Sequence, residues 1–555
     1  MSPDRAPGAA GEPRSRAPWI LAGIASASLP CFALALSLPG ARPPSHDAAP
    51  DPLAFALSRR GPAVNAEPTI VPQCYADVRD GANPCWTCHT VGVDPHSLVD
   101  LDLQSEYSFS DGARENAWKG LFTDRSAEIG AISDEAVLSH VRSDNYNHLR
   151  AALVGREDYP GYVPDLDLDA GFDDEGYARD GSGWRALRYK PFPGAFWPTN
   201  GGSAGEVYVR LPPRLRADRE GRPSRAVEDA NWAILEAAIT ATPGVPTDQL
   251  VREVAPVDEA AAGRDLDGDY KVGGVVTRIR GLPARYAGFA KDVPVRRYLF
   301  PQGMEILHPV RYLDPDAPRG AGRRLKELRY ARKVEELDAW ALGAAYQREA
   351  DEKDEGRIPV FRGGPEVGLR NAFGWQLQAF IEDEAGRLRL QTAEEHRFCM
   401  GCHGSTGVVV DSTFSFARKV PGAAGWRVQD LSGIRDVPQT GHTDPEVLTY
   451  LRRAGGGDDF RANDEMLARF FPGGALDEQA VRSAPDMAAL VMPSRARALL
   501  LDKAYLALVR TQRFDLGRDP IVTPPARARA RIPEERTGLD EAKRTYPDGR
   551  LHLAW

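Results

Sequence analysis

The chain of 555 residues is poor in lysine, methionine and cysteine. Only 10 of its 70 basic residues are lysine, and the formal net charge is −9. An acidic chain without a basic footprint excludes nucleic acid as the expected partner. Six cysteines over this length exclude a disulfide-built scaffold. Also missing are a nucleotide-binding loop, a hydrolase elbow and a zinc-protease helix. What remains is a globular composition, 42% hydrophobic and 27% charged, and a length that calls for two to four domains.

Residues 17–41 carry no charge and follow Arg5, Arg14 and Arg16. A positive start, an apolar run and small residues near its end describe an export signal, or an uncleaved anchor. Cys31 lies in this run behind Ser28-Leu29-Pro30, which does not match a lipidation box, so it reads as a small apolar residue. The expected organisation is a signal peptide or membrane anchor over 1–41 and a Pro- and Ala-rich linker over 42–70. The mature protein is expected to be periplasmic or otherwise extracytoplasmic, with the inner membrane as its anchoring surface if the apolar segment stays.

Four cysteines fall into two copies of one pattern, Cys85-Trp86-Thr87-Cys88-His89 and Cys399-Met400-Gly401-Cys402-His403. Cys-x-x-Cys-His is the attachment motif of c-type haem. Two thiols three positions apart reach the two vinyl groups of a porphyrin, and the adjacent histidine ligates the iron. Six cysteines and ten histidines would give on the order of 0.001 such matches by chance. A zinc site split between two cysteine pairs about 310 residues apart, or a thioredoxin-like redox pair, uses the same cysteines with a poorer fit. On these motifs the chain resembles a dihaem c-type cytochrome, over roughly 70–170 and 390–510. The resemblance implies that Cys85 and Cys88 hold one haem with His89 as proximal ligand. Cys399, Cys402 and His403 would do the same for a second.

Each iron then has a sixth position, which Met or His usually fills in an electron-transfer haem. Met466, 63 residues past His403 and beyond a helix that Gly455-Gly456-Gly457 ends, is the first candidate for the second haem. Met492 and His442 are its rivals. No methionine follows the first motif until Met304, so His148, His308, His96 and His140 are the candidates there, beside an open position. Cys74 has no cysteine partner left after removal of a signal and reads either as a buried free thiol or as an iron ligand.

Residues 180–390 contain no cysteine and one histidine, His308. Alternation marks strands at 206–211 and 374–381, the second followed by a turn at 384–386 and a strand at 387–390. Ser224 is placed to cap a helix through Ile239. Residues 321–354 read as one long charged helix with a stripe of Leu325, Leu328, Val334, Leu337, Ala341 and Ala345. The loop Asp265-Leu266-Asp267-Gly268-Asp269 carries alternating carboxylates and reads either as a structural calcium loop or as a solvated acidic turn. The run Asp165, Asp167, Asp169 carries the same alternative.

Together these readings give a mainly α, cytochrome c-like protein with an α+β region inserted between two haem-binding domains. Its parts would be 71–180, 181–390, 391–515 and a C-terminal extension over 516–555. The expected cofactors are two covalent haems c, with structural calcium in the acidic loop. The expected function is electron transfer between extracytoplasmic redox proteins or to a respiratory complex. The alternative is a dihaem peroxidase, oxygenase or sulfur-compound dehydrogenase with one catalytic haem.

Overall fold

The computed structural model describes residues 51–59, 63–77, 82–92, 94–95, 109–202, 205–532 and 551–555. The signal or anchor segment, with Cys31, and His96 lie outside them. The residues from Pro50 onward make one compact unit.

Its frame is an antiparallel sheet. The strands are β1 (Arg185–Leu187), β2 (Val207–Arg210), β5 (Glu305–Leu313), β6 (Ala321–Lys333), β7 (Arg362–Gly364), β8 (Gly368–Arg370), β9 (Trp375–Glu382) and β10 (Leu388–Leu390). They run in the order β1-β2-β5-β6-β9-β8-β7, with β10 pairing β9. A separate hairpin joins β3 (Val251–Asp258) to β4 (Val275–Arg280).

The expectation of a mainly α, cytochrome c-like fold is therefore corrected: an eight-stranded sheet carries the molecule. The largest single reason is residues 321–354. Ala321–Lys333 is a strand, and the helix begins only at Ala339. Strand β6 lies between β5 and β9 and is buried on both faces. The charges at its centre are inside rather than in water. The Arg324 side chain meets Glu382, Lys326 lies near Asp502, and Glu327 meets Arg329 and Arg518. Buried paired charges erase the two-residue alternation and leave Leu325 and Leu328 to imitate a helical stripe.

Local signals hold where capping decides. Ser224 Oγ accepts from the Val227 N–H and opens the helix Arg225–Ile239. Ser133 and Ser494 likewise open Asp134–Arg142 and Arg495–Thr511. The hairpin through β9 and β10 turns on Gly386, whose φ of 81° suits glycine. The helix Glu446–Ala454 starts with Pro445 as its cap, and Asp444 just before it pairs with Arg452 and Arg482.

The two faces of the sheet differ. On one, Tyr208, Leu307, Leu328 and Phe380 join a core with Tyr146, Leu149 and Leu153 from the helix Tyr146–Leu153. On the other, alternate residues of three neighbouring strands floor a cavity: Ile306 and His308 of β5, Glu327 and Arg329 of β6, Leu377 and Ala379 of β9.

Candidate functional site

The two Cys-x-x-Cys-His segments, far apart in sequence, meet in space. The second closes the helix Ala393–Cys402. A reciprocal cap starts this helix: Thr392 accepts from the Glu395 N–H, while Glu395 accepts from the Thr392 N–H. Cys399 and Cys402 stand one turn apart, and His403 follows at the C-cap. The helix is tied to the sheet by the buried His396, whose Nε2 accepts from the Ala379 N–H at 2.9 Å. Burial pushes His396 down to about 4, so it stays a neutral acceptor.

The first motif forms a shorter 3-10 turn, Pro84–Thr87, capped by Asn83 accepting from the Cys85 N–H. Both motifs nevertheless close the same backbone loop. The His89 N–H donates to Cys85 O, and the His403 N–H donates to Cys399 O, each at 2.9 Å. The motifs also touch through neighbouring chain, since the Val408 N–H donates to Cys88 O at 3.1 Å.

Each motif's histidine lines a different cavity, and the second motif reaches both. Cys399, Cys402 and His403 line a space of about 290 Å³ over the sheet floor. Cys85, Cys88 and His89 line a cleft of about 710 Å³ together with Cys74. Cys402, Phe192, Phe196 and Phe414 line both, so one thin wall separates them.

Burial sets the protonation of the free thiols. Burial, with Asp459 nearby, pushes Cys85 up to about 12. Burial and then Cys74 push Cys402 up to about 12, and burial also raises Cys88 and Cys399. Thiols so raised are protonated at neutral pH and are poor nucleophiles. Nor do they assemble a tetrahedral metal site. Among the described residues the only three His, Cys, Asp or Glu side chains that converge within 4.8 Å are Glu259, Asp265 and Asp267.

The imidazole of His403 is held firmly. Its Nδ1 lies 2.7 Å from Ser412 O, and its ring stands edge-on to Phe414 at 5.3 Å. The Asn371 side chain donates to its carbonyl at 2.8 Å. A bond from Nδ1–H to a backbone carbonyl leaves the other ring nitrogen as the ligating lone pair. Burial pushes His403 down to about 4 and His308, in the same cavity, down to about 3, so both rings are neutral.

The fit of haem to these residues rests on unmet donors. Trp375 Nε1, Ser412 Oγ, Tyr505 Oη and Arg518 Nε are buried, have no hydrogen-bond partner, and belong to residues lining the His403 cavity. Buried donors seek acceptors. A flat apolar ring with carboxylate arms supplies both the apolar filling and the acceptors, so the residues fit the group.

The other expected ligands are placed elsewhere. Met466 is buried on the helix Asp464–Phe470 in a core with Leu448, Leu451 and Trp86, and lines neither cavity. His148 is exposed on the helix Tyr146–Leu153. His140 Nε2 lies 3.0 Å from Glu382. Neither His442 nor Met492 lines either of these two cavities. His308, expected at the first motif, faces the second.

In the acidic loop Asp265 and Asp267 converge with Glu259, which stands outside the alternating run and carries no local signal of its part in the cluster. Backbone N–H groups already occupy these carboxylates. Glu259 accepts from Leu266 and Asp267, and Asp265 from Gly268 and Tyr270. Asp165 accepts from Trp184 and Arg210, and Asp169 from Arg323.

Close packing against the second motif gives a test of its rigidity. A Cβ on Gly401 would lie 2.2 Å from Thr69 O and 2.8 Å from Val71 Cγ1. Gly401→Ala is expected to destabilise by about 1–3 kcal/mol, the usual cost of overpacking. Urea unfolding of the variant checks it, and an unchanged midpoint would show that residues 69–71 yield freely.

Comparison with known proteins gives one consistent result. Residues 59–466 match the sequence model of a lipoprotein family. The chain is 31% identical over 522 residues to a protein of Aquifex aeolicus (strain VF5) described as an uncharacterized lipoprotein, covering 82% of this chain and 86% of the relative. No solved structure matches. The match to the lipoprotein family spans both motifs and the region between them, and it corrects the resemblance to dihaem c-type cytochromes. It likewise overturns the electron-carrier reading and its dihaem oxidoreductase alternative, because neither the family nor the relative carries a cytochrome or redox description.

Proposed function

The chain belongs to this lipoprotein family, extracytoplasmic and membrane-attached, and from that premise we propose that it holds two covalently bound haem groups, one on each Cys-x-x-Cys-His motif. Among the described residues no helix is long and apolar enough to cross a membrane. In this reading attachment belongs to the amino-terminal segment, and the body works on the periplasmic side of the inner membrane, where c-type attachment takes place in bacteria.

One observation carries the reading. Two motifs about 310 residues apart close the same turn and open onto two adjoining cavities, each with one histidine of its motif in the lining. Cys85 and Cys88 would hold the first group with His89 beneath it. Cys399 and Cys402 would hold the second, with His403 kept in place by Ser412 O. Haem supplies an iron whose axial positions accept protein or exogenous ligands. The chain supplies the thiols, an oriented imidazole, an apolar enclosure and unmet donors for the carboxylate arms. The acidic loop around Asp265 and Asp267 is retained in this reading as a candidate calcium loop.

The test is production of the full chain in a host that matures c-type haem, followed by intact mass and a pyridine haemochrome assay. Two haems per chain are expected. Cys85→Ser with Cys88→Ser, and separately Cys399→Ser with Cys402→Ser, should each remove one. A mature, folded chain with no covalent haem, or with stoichiometric zinc instead, overturns the proposal.

A further inference from the structure

We propose that His308 is the distal axial ligand of the group carried by Cys399, Cys402 and His403, which makes that site a bis-histidine one. The inference rests on the haem reading above and deepens it.

Four observations lead to it. First, the described residues that line the His403 cavity include two histidines, His403 itself and His308, and no methionine. They come from different walls. His403 ends the helix Ala393–Cys402, and His308 stands on the sheet floor in β5. Second, the sheet register fixes the direction of His308. Its strand partner is Arg329, and residues directly opposite in an antiparallel pair share a face. Arg329 and the flanking Ile306 and Val310 all line the cavity, so β5 presents Ile-His-Val to it at alternate positions. Third, Nδ1 of His403 is engaged by Ser412 O, which commits its other nitrogen to the cavity. Fourth, His308 is only half-buried although its strand lies within the sheet, because its remaining surface faces this space.

The first-motif cleft differs. Of the described residues that line it, His89 is the only histidine, and Met400, which belongs to the second motif, is the only methionine. Of the candidates advanced from sequence for that position, His140 and His148 line neither cavity and His308 lines the other one; His96 lies outside the described residues.

The experiment uses the full haem-loaded chain, with haem stoichiometry measured on every sample. Electron paramagnetic resonance and near-infrared magnetic circular dichroism of the ferric protein report the axial ligands directly. The expected wild-type spectrum contains a bis-histidine low-spin species amounting to one haem per chain. His308→Ala should keep both haems and lose that species, with about half of the total iron converting to a form that added imidazole returns to low spin. His308→Met should convert the same species to a His/Met signature, so a poorly folding alanine variant does not decide the matter. A bis-histidine signal unchanged in both variants at two haems per chain overturns the assignment of His308 and leaves the haem reading standing. A chain with no covalent haem overturns the haem reading itself.

Discussion

Replacing Glu446 with glutamine is expected to cost about 3–5 kcal/mol of folding stability, the range for breaking a buried ion pair from one side. Glu446 is fully buried at the start of the helix Glu446–Ala454. Two cations close on it. Arg418 Nη1 donates to Oε1 at 3.0 Å, Arg418 Nη2 donates to Oε2, and Lys190 Nζ donates to Oε2 as well. Glutamine keeps the shape and removes the charge, which leaves Arg418 and Lys190 buried with Asp436 as the remaining acid beside Lys190. The same cluster fixes the sign of an acid effect. Burial alone would raise the Glu446 carboxyl, but Arg418 and Lys190 together hold it down at about 2, below its unfolded value of 4.5. A depressed carboxyl contributes stability above the unfolded pKa, and that contribution is lost as pH falls from about 4.5 toward about 2. Glu446→Gln should therefore lower the urea midpoint at pH 7 and flatten its fall across that window. Some slope will remain, because Glu327 is held at about 2 by Arg329 and Arg518 against its own burial. Equal losses at pH 7 and pH 3 would show that the charge of Glu446 is not what stabilises this corner.

How much of this was legible in the chain depends on distance along it. Ser224 announces its helix because a cap acts within three residues. The hairpin around Gly386 is legible for the same reason. The motifs are legible because attachment chemistry demands adjacency, so Cys399, Cys402 and His403 need no tertiary information. The partner across the cavity demands it. His308 reaches the second motif only because β5 lies beside β6 in the sheet, with His308 opposite Arg329, and no local pattern encodes that pairing. Spacing pointed to Met466 instead, yet its helix turns it into a core with Leu448 and Leu451. Strand β6 was misread for a related reason. Its inward charges are explained by Glu382, Asp502 and Arg518, all distant in sequence. A charge that is buried and paired looks, in the chain alone, like a charge in water.

The largest coupled effect is expected at the Lys333–Asp411 pair, where stability and the proximal histidine meet. Both side chains are fully buried, with Lys333 Nζ 2.6 Å from Asp411 Oδ1. Lys333 also donates to Phe373 O at 2.8 Å, and Asp411 Oδ2 accepts from the Phe300 N–H at 2.9 Å. Asp411 and Ser412 have φ of 47° and 59°, the left-handed pair of a tight turn, closed by reciprocal bonds between Val410 and Thr413. The carbonyl that meets His403 Nδ1 belongs to Ser412, the second residue of that pair. The ion pair therefore anchors the turn, and the turn orients the imidazole. Asp411→Asn preserves a residue that tolerates positive φ but strands the buried ammonium, at an expected cost of about 3–5 kcal/mol. Lys333→Met alone should cost as much by stranding the carboxylate. The double variant should recover most of either loss, because removing both charges together ends the desolvation penalty. The histidine supplies a readout that packing alone would not move. In the haem-loaded chain Asp411→Asn should perturb the ligand-field signature of the His403 site more than that of the His89 site, since the turn's Ser412 carbonyl meets His403. Additive losses in the double variant would deny the pair its coupling. An unaltered His403 signature in a destabilised Asp411→Asn protein would confine the pair to holding the fold.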